Sequence, residues 1–107
     1  MRSPLRLVLF TMHGCPRCPK AREIARKVAE EHGLDLVEVN MRTLEGQIEA
    51  LMYNVCTAPT LLLTDDDFHV LFIVPGREPT AEDVERLKDI LREVADSEAE
   101  RSAGQAS

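Results

Sequence analysis

The chain has too few cysteines for a disulfide framework, too few cations for a nucleic-acid surface, and no apolar run long enough for a membrane. Its three cysteines are an odd number, and two of them, Cys15 and Cys18, stand three positions apart. That usage does not fit a small secreted scaffold and reads as reactive or metal-binding in a reducing compartment. Lys and Arg number 13 against 19 Asp and Glu, a net charge of −6. A phosphate backbone is bound through clustered basic residues that release its counterions, so no nucleic acid is expected as a partner. The stretch from Leu5 to Phe10 is interrupted by Arg6, too short for a signal-peptide core and far too short for a bilayer span. The protein is expected to stay in the cytoplasm, with no membrane partner.

What is present is ordinary globular composition, with 44% apolar and 30% charged residues in a chain of 107. A chain of this length builds one self-sufficient core. Leu5 to Thr11 is nearly continuous in apolar residues, the pattern of a strand buried on both faces of a mostly parallel sheet. From Pro16 to His32, Ala21, Ile24, Ala25, Val28 and Ala29 recur at helical spacing, with His32-Gly33 as a stop. Leu34 to Asn40 reads as a second strand, and strand-helix-strand in this order implies a right-handed crossover with parallel pairing. A second helix follows, its stripe of Leu44, Ile48, Leu51, Met52 and Val55 expected to face the core.

Thr60 to Thr64 and Phe68 to Val74 read as two strands joined by the turn Asp65-Asp66-Asp67, an antiparallel hairpin. Thr80 caps a last helix with Asp83 in the capping-box position, and Val84, Leu87, Ile90, Leu91 and Val94 form its buried stripe. The order βαβαββα describes an α/β domain, a four-stranded mixed sheet flanked by three helices. Its expected extent is residues 1–95. Residues 96–107 carry no large apolar side chain and are expected to form a loose tail.

Cys15-Pro16-Arg17-Cys18 stands where the first strand gives way to the first helix. Unpaired N–H groups and the positive end of the helix dipole favour a thiolate there, and Cys15, near the expected N-cap, gains most. Pro16 suits the first helical position, where its missing N–H costs nothing. A three-residue step brings the two sulfurs within bonding reach. The expected cycle has the Cys15 thiolate attack a disulfide and Cys18 resolve the mixed disulfide. Arg17, between the cysteines, is a candidate for favouring the thiolate, whereas Lys20 and Arg22 read as solvated charges. Pro19 predicts a distorted helix start, because within a helix it removes a hydrogen bond and crowds a carbonyl. Thr57-Ala58-Pro59-Thr60 lies at the entrance of the third strand, where a proline sits either in a cis turn or as an ordinary trans residue.

Phe10 through Cys18, taken with Val55-Cys56-Thr57-Ala58-Pro59-Thr60-Leu61, resembles the thioredoxin superfamily, in which a C-x-x-C motif faces a cis-proline loop. The resemblance covers the chain except its tail and implies the thioredoxin fold. It implies a cis bond before Pro59, a substrate segment paired strand-like with the backbone of Ala58, and Pro59 screening the sulfurs from stray metal. Pro16, Arg17, Thr57, Ala58, Pro59 and Gly76 are on this basis expected to meet the substrate. The Cys-Pro-x-Cys form and short N-terminus look like glutaredoxin, and Ala-Pro-Thr before an apolar strand looks like thioredoxin. Gly14 and Leu9 stand where thioredoxins usually carry Trp and a buried Asp, which leaves the proton acceptor for Cys18 unassigned. Gly76-Arg77-Glu78-Pro79 replaces the glutathione clamp of glutaredoxins.

The expected activity is therefore reduction of protein disulfides by a monomer. The dithiol would be recharged by a reductase or a low-molecular-weight thiol, with no cofactor and no bound metal. The alternative is a copper- or zinc-binding module or metallochaperone using the same loop, since Met12-His13-Gly14-Cys15-Pro16-Arg17-Cys18 loosely resembles a Met-x-Cys-x-x-Cys metal loop. Such modules end in a strand, and this chain reads as ending in a helix. An iron-sulfur scaffold formed by Cys15 across two subunits is a third reading. Cys56 reads as a small buried hydrophobe, with a regulatory thiol as the alternative. His13 reads either as a partner of the thiolate or as a solvated loop residue. Tyr53 and Met52 read as core, and His32 and His69 carry no functional expectation.

Overall fold

Leu7, Val8, Leu9 and Phe10 leave β1 (Arg6–Thr11) without a polar face, so it must be covered on both sides. In the computed structural model, which describes residues 5–105 and side chains to residue 97, β1 lies inside a four-stranded sheet. It pairs parallel with β2 (Asp35–Asn40) and antiparallel with β3 (Thr60–Thr64), and β3 pairs antiparallel with β4 (Val70–Val74). The strand order is β2-β1-β3-β4. With α1 (Cys18–His32), α2 (Leu44–Met52) and α3 (Ala81–Gln105), the expected order βαβαββα is met.

The sheet separates two apolar clusters. Leu7, Leu9, Leu61, Leu63 and Val74 pack against Ala21, Ala25 and Val28 of α1 and Leu87 of α3. Val8, Phe10, Val39 and Leu62 pack against Ala50 and Val55, with Tyr53 beside them. The Phe10 and Tyr53 rings meet edge to face, centroids 6.2 Å apart, and burial raises the Tyr53 hydroxyl above its ordinary pKa, with Glu49 adding to the shift. Gly33 ends α1 at φ 65°. No helix among the described residues is long and apolar enough to cross a membrane.

Helix α2 is turned the other way from the expectation. Leu44, Ile48, Leu51 and Met52 are 71%, 52%, 78% and 61% exposed, whereas Gly46 and Ala50 are buried. Periodicity marks a stripe but not the side it faces, and here closeness of approach decides. A Cβ on Gly46 would lie 1.7 Å from the Asn40 carbonyl oxygen, so only the small-residue stripe fits against the chain beneath. Thr43 caps the helix by accepting from the Gly46 N–H at 3.0 Å. Val55 is buried as expected, but beyond the helix end.

Two boundaries also shift. The loose tail expected from Asp96 is helical as far as Gln105, because Ala, Glu and Arg extend a helix that is already nucleated at little cost. Residues 106–107 lie outside the described residues. Strand β4 starts at Val70 rather than Phe68, which turns at φ 65°. The Asp65 carboxylate accepts from the N–H groups of Asp67 and His69, both at 2.9 Å, and thereby fixes the turn. These contacts, that of His69 first, lower the Asp65 pKa.

Candidate functional site

Pro19 fixes where α1 begins. Lacking an N–H, it is tolerated only in the first turn, and the helix starts at Cys18 with Arg17 as N-cap, placing Pro19 within the first two helical positions. The Ala21 N–H donates to the Arg17 carbonyl at 3.1 Å. Pro16 is therefore outside the helix rather than at its first position, and Cys15 precedes the N-cap by two residues. At that position Pro19 removes no intrahelical hydrogen bond. Cys15 is instead held by a turn in which its N–H donates to the Met12 carbonyl at 3.1 Å, with Gly14 at φ 83°.

A disulfide joins Cys15 and Cys18 across a Cα separation of 5.4 Å. Cys18 is 3% exposed, against the half-buried Cys15. The first turn of α1 carries no acidic residue. Arg22 pairs with Glu38 of β2, and Lys20 lies 4.0 Å from Glu23. Arg17 and His13 are exposed. The buried polar residues among those described are Thr11, Thr60 and Thr64, so no buried carboxylate stands ready to take a proton from Cys18. Leu9, fully buried, fills its strand position with hydrocarbon.

The remaining expected site residues gather at the same end of the sheet. Phe10, at the end of β1, pairs with Thr60 at the start of β3, and Leu61 pairs with Val74 at the end of β4. The segment after β1, the segment before β3 and the segment after β4 therefore share one edge. The Ala58–Pro59 bond is cis. Pro59 is buried, Ala58 half-buried and Thr57 exposed. Gly76 turns at φ 66°, and a Cβ there would lie 3.0 Å from the Thr57 hydroxyl oxygen. Cys56 is exposed, not the small buried hydrophobe expected, because Val55 takes the inward position beside it.

Thr60 carries more than its place as first residue of a strand suggests. Its hydroxyl donates to the Thr57 carbonyl at 2.8 Å and accepts from the Gly76 N–H at 3.2 Å. The signal was a lone hydroxyl heading the apolar run Leu61-Leu62-Leu63. Beyond Gly76, the Arg77 guanidinium pairs with Asp83, which also accepts from the Thr80 N–H at 2.8 Å. The Asp83 N–H donates to the Thr80 hydroxyl at 3.2 Å, completing the expected capping box. Arg77 and then Thr80 hold the Asp83 carboxyl down at about 2.

The sequence pattern of the thioredoxin domain matches residues 7–89. The chain belongs to the thioredoxin superfamily. It is 33% identical over 86 residues to a thioredoxin of Methanocaldococcus jannaschii, spanning 78% of this chain and 96% of that protein. It is 34% identical over 80 residues to a protein of Archaeoglobus fulgidus named probable thioredoxin, spanning 75% and 86%. Among solved structures, a thioredoxin-fold protein from Helicobacter pylori superposes with a TM-score of 0.66 at 20% identity, over 80% of this chain and 68% of that one. Thioredoxin f2 of Chlamydomonas reinhardtii superposes with a TM-score of 0.62 at 17% identity, over 87% and 81%. A member of this superfamily with a Cys15–Cys18 pair is a thiol-disulfide oxidoreductase in general type.

Proposed function

We propose that this chain reduces disulfides in protein substrates, with Cys15 as nucleophile and Cys18 as resolving thiol. The observation that carries the reading is the unequal exposure of two bonded cysteines at the start of α1. Cys15 leaves part of its surface open to a substrate, whereas Cys18 is buried with its sulfur bonded to that of Cys15.

In the reduced protein the Cys15 thiolate attacks one sulfur of the substrate disulfide. A Cys15–substrate disulfide forms, and the other substrate sulfur leaves and takes up a proton. Cys18, having lost its proton to solvent or to a group of the substrate, attacks the Cys15 sulfur. The second substrate sulfur leaves as a thiol, and the Cys15–Cys18 disulfide is regenerated. Two electrons have passed to the substrate. A reductase or a low-molecular-weight thiol returns two electrons to the pair, and the reducing cytoplasm is where such donors hold it ready. Pro16, Arg17, Thr57, Ala58, Pro59 and Gly76 surround the substrate in this reading, and the protein acts as a monomer without cofactor. The subfamily placement is intermediate: a glutaredoxin-like Cys-Pro-x-Cys loop on a thioredoxin-like Ala-Pro-Thr strand entrance.

The metal-module alternative gains nothing from the fold, since the chain passes from β4 into the long helix α3 where that alternative ends in a strand. Reduction of insulin disulfides, assayed with a thioredoxin reductase and separately with glutathione as donor, tests the proposal. Turnover that disappears in both Cys15→Ser and Cys18→Ser supports it. A wild-type protein that reduces no disulfide with either donor, yet binds Cu(I) tightly, contradicts it.

A further inference from the structure

The peptide unit between Thr57 and Ala58 has a fixed orientation whose cause lies one residue beyond the proline. In a trans peptide the carbonyl and the following N–H point in opposite directions. The Thr57 carbonyl accepts from the Thr60 hydroxyl at 2.8 Å, and Thr60 is 1% exposed, so this carbonyl is directed inward. The Ala58 N–H of the same unit is therefore directed outward, and no hydrogen bond engages it among the described residues. A hydroxyl has a single proton to donate. Because that proton is spent on Thr57, the Thr60 oxygen offers only lone pairs to its other neighbour, and the Gly76 N–H takes one at 3.2 Å. One buried hydroxyl thus orients the outward amide before Pro59 and ties down the turn after β4. The close approach of Gly76 to the Thr57 side chain places these two segments side by side.

We propose that Thr60 is a positioning residue for the redox site: its buried hydroxyl aims the Ala58 N–H at the substrate backbone and sets Gly76 opposite it. The proposal rests on the oxidoreductase reading above. It assigns Thr60 to substrate capture rather than to chemistry at sulfur, since the hydrogen bonds of its hydroxyl run to Thr57 and Gly76.

The test compares Thr60→Val, which replaces the hydroxyl by a methyl of similar size, with Thr60→Ser, which keeps the hydroxyl. Steady-state reduction of insulin and amide hydrogen exchange at Gly76 are measured for both. Loss of the hydroxyl raises KM by about fivefold or more while kcat stays within about twofold. It also speeds Gly76 exchange about tenfold, and the serine variant returns both readouts to near wild-type values. An unchanged KM in Thr60→Val overturns the proposal, as does a serine variant that behaves like the valine one. The exchange measurement needs no activity: faster Gly76 exchange in a protein that reduces no disulfide refutes the oxidoreductase reading and leaves the hydroxyl link itself standing.

Discussion

Cys15 and Cys18 share a disulfide but not an environment: Cys18 is 3% exposed at the start of α1, and Cys15 is half-buried in the turn before it. Reagents that attack thiols follow access. Brief iodoacetamide treatment of the fully reduced protein, read by peptide mass mapping, labels Cys15 and the exposed Cys56 first and Cys18 last. Labelling of Cys18 ahead of Cys15 contradicts this ordering.

The inverted face of α2 separates two substitutions that look alike in a periodicity plot. Leu51 is 78% exposed, so Leu51→Gln shifts stability by about 0.5 kcal/mol or less. Gly46→Ala gains up to about 1 kcal/mol of helix propensity, but its new Cβ meets the Asn40 carbonyl, which as backbone cannot step aside. The clash outweighs the gain, and we expect a net loss of about 1–3 kcal/mol. Urea unfolding of the two variants gives the comparison.

Acid stability carries the imprint of Asp83. Its folded-state pKa of about 2 lies below the about 3.9 of a free aspartate, so the unfolded chain binds this proton more readily. Its contribution is complete above about pH 4 and is lost as the pH falls through the folded value. Asp65 is shifted in the same direction. Asp83→Asn costs about 1 kcal/mol at neutral pH through the weakened cap. It also flattens the loss of stability between about pH 4 and pH 2. Thermal melts across that range read both effects, and an unchanged acid slope refutes the assignment.

The apolar stripe of α3 ends at Val94, although the helix runs on to Gln105. Removing residues 96–107 is expected to leave the thermal midpoint within about 2 °C and insulin reduction unchanged. A larger fall shows that the helical extension supports the domain.

Much of this fold is legible in the sequence. Runs such as Leu7 to Phe10 and Leu61 to Leu63 are apolar on both faces, which leaves central strands as their natural place. Thr80 and Asp83 announce a helix start by their chemistry. The orientation of α2 was not legible, because the fit of Gly46 against Asn40 depends on how closely two distant segments approach. The start of α1 lies two residues beyond the expected Pro16 for a related reason. Cys15-Pro16 and Cys18-Pro19 each offer a proline to the first turn, and only the second leaves the helix ladder intact. The role of Thr60 is not legible in the sequence, because one hydroxyl in a strand gains its meaning from partners three and sixteen residues away.

The most direct test is to trap the intermediate. A Cys18→Ser, Cys56→Ser variant, reduced and mixed with a peptide disulfide, is expected to stall as a mixed disulfide on Cys15, seen by intact mass and lost on treatment with dithiothreitol. Failure of Cys15 to form the adduct, while Cys18 in a Cys15→Ser, Cys56→Ser variant forms it readily, would reverse the assigned roles and contradict the account.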